Sequence, residues 1–162
     1  MTTEQQTVAT IYQGWHTYQD MLIRALAALT AEQLNLRAAP RLRSVSEVVT
    51  HIIGARARWF HALLGEGGDE FAALGRWDRR DAPARSAAEL VHGLEATWQG
   101  MHAAIARWTA EEWQQTWPGE DESEPEVITR AWVIYHLLEH DLHHGGEVSI
   151  TLGAHGVRAI EL

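Results

Sequence analysis

Residues 136–147 read His136-Leu137-Leu138-Glu139-His140-Asp141-Leu142-His143-His144-Gly145-Gly146-Glu147, and four of the chain's ten histidines fall in this stretch. It lies in a segment with helical apolar spacing. An α-helix turns about 100° per residue, so positions i and i+4 stand one above the other. His136, His140 and His144 then form a column of imidazoles on one face. With His140 at zero, His144 lies at about +40°, His136 at about −40°, His143 at about −60° and Glu147 at about −20°. All point into one sector. Two imidazoles four residues apart are able to hold one transition metal, and a third ligand must come from elsewhere in the chain. Gly145-Gly146 costs roughly 1 kcal/mol per glycine inside a helix relative to alanine. That cost implies close approach of a neighbouring helix or a ligand.

Working outward, helix signals recur. Thr3-x-x-Gln6 reads as a capping box ahead of Val8, Ile11, Tyr12, Trp15, Tyr18, Leu22, Leu26 and Leu29. Thr30-Ala31-Glu32-Gln33 reads as a short turn of helix. Ser44-Val45-Ser46-Glu47 opens a second long helix through Val48, Ile52, Ala55, Trp59 and Leu63, stopped by Gly65-Glu66-Gly67-Gly68. Ser86-Ala87-Ala88-Glu89 opens a third through Leu90, Leu94, Trp98, Met101 and Ile105. Thr109 starts another short helix, Gly119 to Pro125 forms an acidic loop, and a last long helix runs from about Glu126 to about Leu152. No window alternates with period two over a useful length. The pattern predicts an all-α fold, a four-helix bundle with a long helix 2–helix 3 connection from Gly65 to Arg85. That connection exceeds the roughly 2–8 residues usual between bundle helices, which marks it as functional or as a crossover. The 162 residues suit one domain, 1–162, without an internal linker or repeat.

Composition narrows the chemistry. The chain has no cysteine, so disulfides, thiolate ligands and a cysteine nucleophile are excluded, and any metal is held by histidine and carboxylate. All 13 basic residues are arginines, which excludes a Schiff-base lysine. A net charge of −9 without a basic stripe argues against nucleic acid as a partner. The absence of an 18-residue apolar run argues against a membrane span. The Met1 to Gln6 start lacks a basic and apolar signal segment, so the cytoplasm is the expected location. Eight tryptophans are many for this length. Most are expected as core anchors, with one or two lining a pocket.

His51 is the best third ligand. It sits one turn into the second helix, beside Val48, Ile52 and Ala55. A lone histidine there is more often a satisfied core residue, and a histidine column is sometimes only a solvated stripe. A histidine pair available across the bundle tips the reading towards a ligand. His16, His61, His92 and His102 lack such a setting and read as surface or core-edge residues. A di-iron carboxylate site needs two Glu-x-x-His motifs on separate helices. Only Glu89-Leu90-Val91-His92 fits, so that chemistry is rejected. The His-Glu-x-x-His motif of zinc proteases is also absent.

Three segments carry a family resemblance: Ser46-Glu47-Val48-Val49-Thr50-His51, His140-Asp141-Leu142-His143-His144-Gly145-Gly146-Glu147, and the closing Leu152-Gly153-Ala154-His155-Gly156. With the Trp-rich middle between them, they resemble the DinB/YfiT-like family over essentially the whole chain. The resemblance implies a four-helix bundle that binds a divalent metal through one histidine of helix two and a His-x-x-x-His of the last helix. Carried over, the ligands are His51, His140 and His144, the last chosen over His143 because it directly precedes the glycine step. The family includes thiol S-transferases that use low-molecular-weight thiols, and mycothiol-dependent isomerases are similar. The name carries no implication of DNA binding.

The expectations that follow are concrete. Three neutral imidazoles leave a dication's charge uncompensated and positions open, which favours activation of a small-molecule thiol against an electrophilic substrate. Zn(II) or Ni(II) fits the donors best, and Fe(II) or Mn(II) also fits. Glu47, about −40° from His51 on its helix, together with His143 and Glu147, is nominated for proton transfer or for supporting the ligands. For Glu47 a plain capping role is the competing reading. The alternative function is a non-catalytic metal-binding stress-response module, closed by His136 or His143 as fourth ligand. A homodimer is expected, partly from the resemblance and partly from the aromatic surface of eight tryptophans.

Overall fold

The computed structural model describes residues 3–119 and 125–160; the side chains of 3–9 lie outside the description, and so does the Thr3/Gln6 capping box. Four long helices form the bundle: α1 (Thr3–Ala27), α3 (Val45–Arg58), α5 (Ala87–Arg107) and α7 (Arg130–Ala154). Three short ones, α2 (Ala31–Leu34), α4 (Gly68–Leu74) and α6 (Ala110–Trp113), sit in the connections. Helix α3 packs on both α7 and α5, and α1 packs on α5. The fold is the expected all-α bundle.

Local chemistry places the helix starts. Thr30/Gln33, Ser44/Glu47, Ser86/Glu89 and Thr109/Glu112 each make both bonds of a capping box, satisfying amides that the first helical turn leaves without partners. Leu22 and Leu26 of α1, Val49, Ile52 and Ile53 of α3, Leu90 and Leu94 of α5, and Val133, Leu137, Val148 and Leu152 of α7 are wholly buried. Each such side chain contributes roughly 1.5–3 kcal/mol when removed from water. Of the eight tryptophans only Trp15 and Trp108 are buried; the others pack partly exposed against the core.

Three expectations change. Residues Thr116–Pro118 (β1) and Val127–Thr129 (β2) pair antiparallel, a strand element the sequence pattern does not announce because three residues carry no usable period. Consequently α7 starts at Arg130, capped by the Thr129 hydroxyl, rather than near Glu126, and runs two residues past Leu152. Of the acidic loop, residues 120–124 lie outside the described residues. The second long helix ends its α-geometry at Arg58 and widens into a π-turn over Trp59–Leu63. The long connection after it is not bare loop. It holds α4, whose Phe71 is buried, and then folds Trp77 against Gly93 of α5 and Asp78 against Gly54 of α3.

Two glycines open the space this packing uses. A Cβ at Gly54 would lie 2.9 Å from the Asp78 carboxyl, so the bare backbone there lets Asp78 settle on α3 one turn beyond His51. A Cβ at Gly145 would lie 2.0 Å from the Tyr18 hydroxyl, so α1 approaches α7 as the helix-interior glycine implied. Gly146 has nothing that close among the described residues, so no neighbouring helix accounts for it.

Candidate metal centre

Helix α3 presents His51 towards α7, and α7 presents His140 and His144 towards α3. One potential ligand atom from each lies within 4.8 Å of the others, so the three histidines form a group able to hold a metal ion. His51 Nε2 and His140 Nε2 are 3.2 Å apart. Two nitrogens on a tetrahedral zinc with bonds of about 2.0–2.1 Å would be about 3.3 Å apart. The rings of His51 and His144 are edge-on at 4.9 Å, and those of His140 and His144 at 4.3 Å.

Supporting carboxylates fix the tautomers. His51 Nδ1 lies 3.0 Å from Asp78 Oδ2. An ionised carboxylate only accepts, so Nδ1 carries the proton and Nε2 keeps its lone pair. Asp78 is held in turn by Arg58, at 2.5 and 2.8 Å. Burial works against the charge on Asp78, but Arg58 and then His51 hold its carboxyl below the usual range. His144 repeats the pattern: its Nδ1 lies 2.8 Å from Glu147 Oε2, again freeing Nε2. Glu147 also stays below the ordinary carboxylate range, with burial opposed by His144, Arg43 and His143. Ligating histidines in metal sites are oriented by such carboxylates.

His140 has no such partner. Its Nδ1 is buried without a hydrogen bond, while its Nε2 faces the free lone pair of His51. Whichever nitrogen carries the proton, one polar atom of this ring is left without a partner. Burial, followed by the nearby imidazoles of His144, His51 and His136 and by Arg56, pushes His140 down to about 2. His144 is also lowered, by burial first, against the opposing pull of Glu147. These rings stay neutral, the protonation state a metal requires. The donor set and the unsatisfied ring both fit a divalent cation.

The remaining nominated residues fall elsewhere. Glu47 closes the α3 capping box, accepting from the Ser44 amide at 2.6 Å, and pairs with Arg37 at 2.8 Å. The Ser44 amide is the main cause holding its carboxyl low. It lines the same cleft as His51, and the hydrogen bond and ion pair of its carboxylate among the described residues go to Ser44 and Arg37 rather than to the three histidine rings. His143 is exposed, edge-on to the His144 ring and 3.8 Å from Glu147. His136 stays beside His140, with ring centroids 6.0 Å apart, but stacks on Trp132 at 4.9 Å and meets Trp59 edge-on.

Sequence reasoning missed Asp78, Arg56 and Asp141. One turn below the histidines, Arg56 donates to Asp141 through Nε and Nη2, at 2.6 Å for the latter, and both side chains are 1 % exposed. Trp15 Nε1 donates to Asp141 at 2.7 Å, and Arg56 also donates to Gln19 at 2.8 Å. Arg56 could have been found: a cation in the apolar run Ile52-Ile53-Gly54-Ala55-Arg56-Ala57 demands a buried anion.

Among the solved structures that the chain matches in fold are these two. A DinB-like protein from Bacillus cereus aligns with a TM-score of 0.70 at 19% identity, covering 93% of this chain and 94% of that one. A conserved protein from Enterococcus faecalis aligns at 0.64 and 15% identity, covering 94% and 99%. No curated protein matches the chain in sequence. The model of the DinB family matches residues 1–161, and the chain belongs to the DinB family.

Proposed function

We propose that this protein is a divalent-metal-dependent transferase that activates a low-molecular-weight thiol for attack on an electrophile. The observation that carries the proposal is the convergence of His51, His140 and His144 with no carboxylate among them, beside an open cleft. His51, His140 and His144 would hold the metal, with Zn(II) or Ni(II) preferred and Fe(II) or Mn(II) also compatible. When bound, the cation supplies an uncompensated positive charge that favours the thiolate form of a thiol. With no cysteine and no lysine in the chain, a sulfur nucleophile has to come with the substrate. In the reaction the thiol loses its proton, a carbon–sulfur bond forms, and the leaving group departs with the electron pair of its broken bond.

The chain's own residues would do the rest. Asp78 and Glu147 hold the Nδ1 protons of His51 and His144 and so aim Nε2 of each ring. Glu147, shared with exposed His143, offers a route for the thiol proton to solvent. Glu47 would serve the cleft wall instead, holding the start of α3 and Arg37. The competing reading, a non-catalytic metal-binding stress-response module, needs a fourth ligand. His136 is engaged by Trp132, and His143 groups with His144 and Glu147 rather than with His51 and His140, which favours an open position. Exposed Tyr135, Leu142 and Ile150 on α7 support the further proposal of a homodimer, which sedimentation would register at twice the 18.2 kDa chain mass.

The test is a panel of mycothiol, bacillithiol, glutathione and coenzyme A, each against a chloro-aromatic acceptor, with and without metal. A metal-dependent rate that falls with occupancy in His51→Ala is expected. No metal-dependent rate with any thiol would move the reading to the binding module.

A further inference from the structure

We propose that the arginine-lined cleft beside His51 is a binding site for an oxyanion on a small molecule, a carboxylate or a phosphate. The cleft holds about 770 Å³, and five of the chain's 13 arginines line it: Arg37, Arg43, Arg79, Arg80 and Arg85. This concentration occurs in a chain of net charge −9. Only two carboxylates share the wall, Glu47 and Asp78. Both are already engaged, Glu47 by the Ser44 amide and Arg37, Asp78 by Arg58 and His51. Arg58 is not part of the lining, so Asp78 is neutralised from behind.

The arginines are unequally engaged. Arg37 is spent on Glu47 and on the Leu42 carbonyl. Arg43 approaches Glu147 at 3.5 Å. Arg85 reaches Glu89 at 3.1 Å, lies 4.4 Å over the Trp77 ring, and leaves its buried Nε without an acceptor. Arg79 and Arg80 have no side-chain partner among the described residues. Asp81, next in sequence, does not line the cleft. Like charges gathered in a concave wall repel one another and raise the local concentration of anions. A guanidinium offers paired donors that match a carboxylate or phosphate edge. The volume lies within the roughly 300–1,000 Å³ of small-molecule sites. The acidic remainder of the surface disfavours a polyanion longer than the cleft.

Two consequences follow for the metal centre. His51 and Asp78 stand in the cleft wall, so a bound anion would sit beside the ligand-orienting pair. The acidic or phosphorylated end of a substrate would thereby be anchored away from its reacting atom. That second point rests on the proposed thiol chemistry; the anion site itself does not.

Calorimetric titration with inorganic phosphate, and separately with succinate, tests the site, on the protein as purified and again after metal removal. Intrinsic tryptophan fluorescence, to which Trp77 of the cleft wall contributes, gives a second readout. One saturable equivalent is expected in both metal states. Arg79→Ala/Arg80→Ala should weaken it at least tenfold without changing metal content or melting temperature, since neither side chain has a partner to lose among the described residues. Arg24→Ala/Arg76→Ala removes equal charge outside the cleft and should stay within twofold. Binding of phosphate alone assigns a phosphoryl group, of succinate alone a carboxylate, and mutual competition assigns an oxyanion of either kind. No saturable binding, binding lost with the metal, or equal weakening by both double variants overturns the proposal. Anion binding that persists in a protein without thiol activity would sink the proposed function and leave the cleft standing.

Discussion

Two polar clusters join α3 to α7 within about one helical turn of each other, and they solve opposite problems. Arg56 and Asp141 are almost fully buried, and the carboxylate takes bonds from Arg56 and Trp15 while Arg56 also reaches Gln19, Leu94 and Thr97. That cluster draws on all four long helices and closes on itself. His51, His140 and His144 draw on two helices and leave His140 Nδ1 unsatisfied. A buried polar network of uniform purpose would have been completed, since an unpaired buried group costs about 1–3 kcal/mol. The closed cluster fixes the register of the two helices. The open one is held in that register as a group that could hold a metal ion.

The largest way to break the contrast is to open the closed cluster. Asp141→Ala leaves the Arg56 charge buried and unpaired, and should cost about 3–5 kcal/mol. For a chain of this size that lowers the melting temperature by about 10 °C. Arg56→Met/Asp141→Leu removes both charges and should be the milder change, as buried ion pairs replaced by apolar residues often are. A double variant as damaged as the single one would show that the pair contributes more than its own satisfaction.

Next, the open cluster is expected to respond to metal where the closed one does not. One equivalent per chain should raise stability by about 2.7 kcal/mol at a hundredfold excess over Kd. His140→Ala/His144→Ala should abolish that increment; full occupancy in this variant would place the site elsewhere. Without metal, pH enters through His140. Unfolded imidazole titrates near 6.5, whereas folded His140 is pushed down to about 2, so the unfolded state binds the extra proton between these values. Stability should therefore be unaffected above about pH 7 and fall as pH drops through 6.5. His140→Ala should flatten that slope, read from urea unfolding at a series of pH values.

The same contrast explains what the sequence reveals. His140 and His144 are legible because both candidate ligands lie on one helix, where spacing translates directly into direction. His51 is legible as a polar residue on an apolar face. Their supports divide the same way. Glu147 lies three residues from His144 on the same helix, so its angle places it. Asp78 lies 27 residues from His51 and reaches it only because α4 folds the connection back and Gly54 leaves room. Arg56 and Asp141 meet across 85 residues. No local period encodes such a contact, and only the misplaced charge in an apolar run hints at it. The β1–β2 hairpin stays hidden for a related reason, its identity lying in pairing rather than in either three-residue strand.

The smallest effects separate the nominated support from the one the fold provides. Asp78 touches His51, and Glu47 touches the helix start. Asp78→Asn keeps the shape but removes the charge that fixes the His51 tautomer. Loss of such a carboxylate typically weakens metal affinity about 10–100-fold. Arg58 would at the same time lose its partner, so the variant needs a stability control. Arg58→Gln supplies it, because it disturbs the same pair while leaving the carboxylate on His51. Glu47→Gln retains an acceptor for the Ser44 amide and loses only the attraction of Arg37 and the helix start, worth about 0.5–1 kcal/mol. Its metal affinity should stay within twofold of the parent by competition with a chelating dye. If Glu47→Gln weakens metal as much as Asp78→Asn does, the capping residue reaches the ligands through the cleft wall, and the division drawn between the two carboxylates fails.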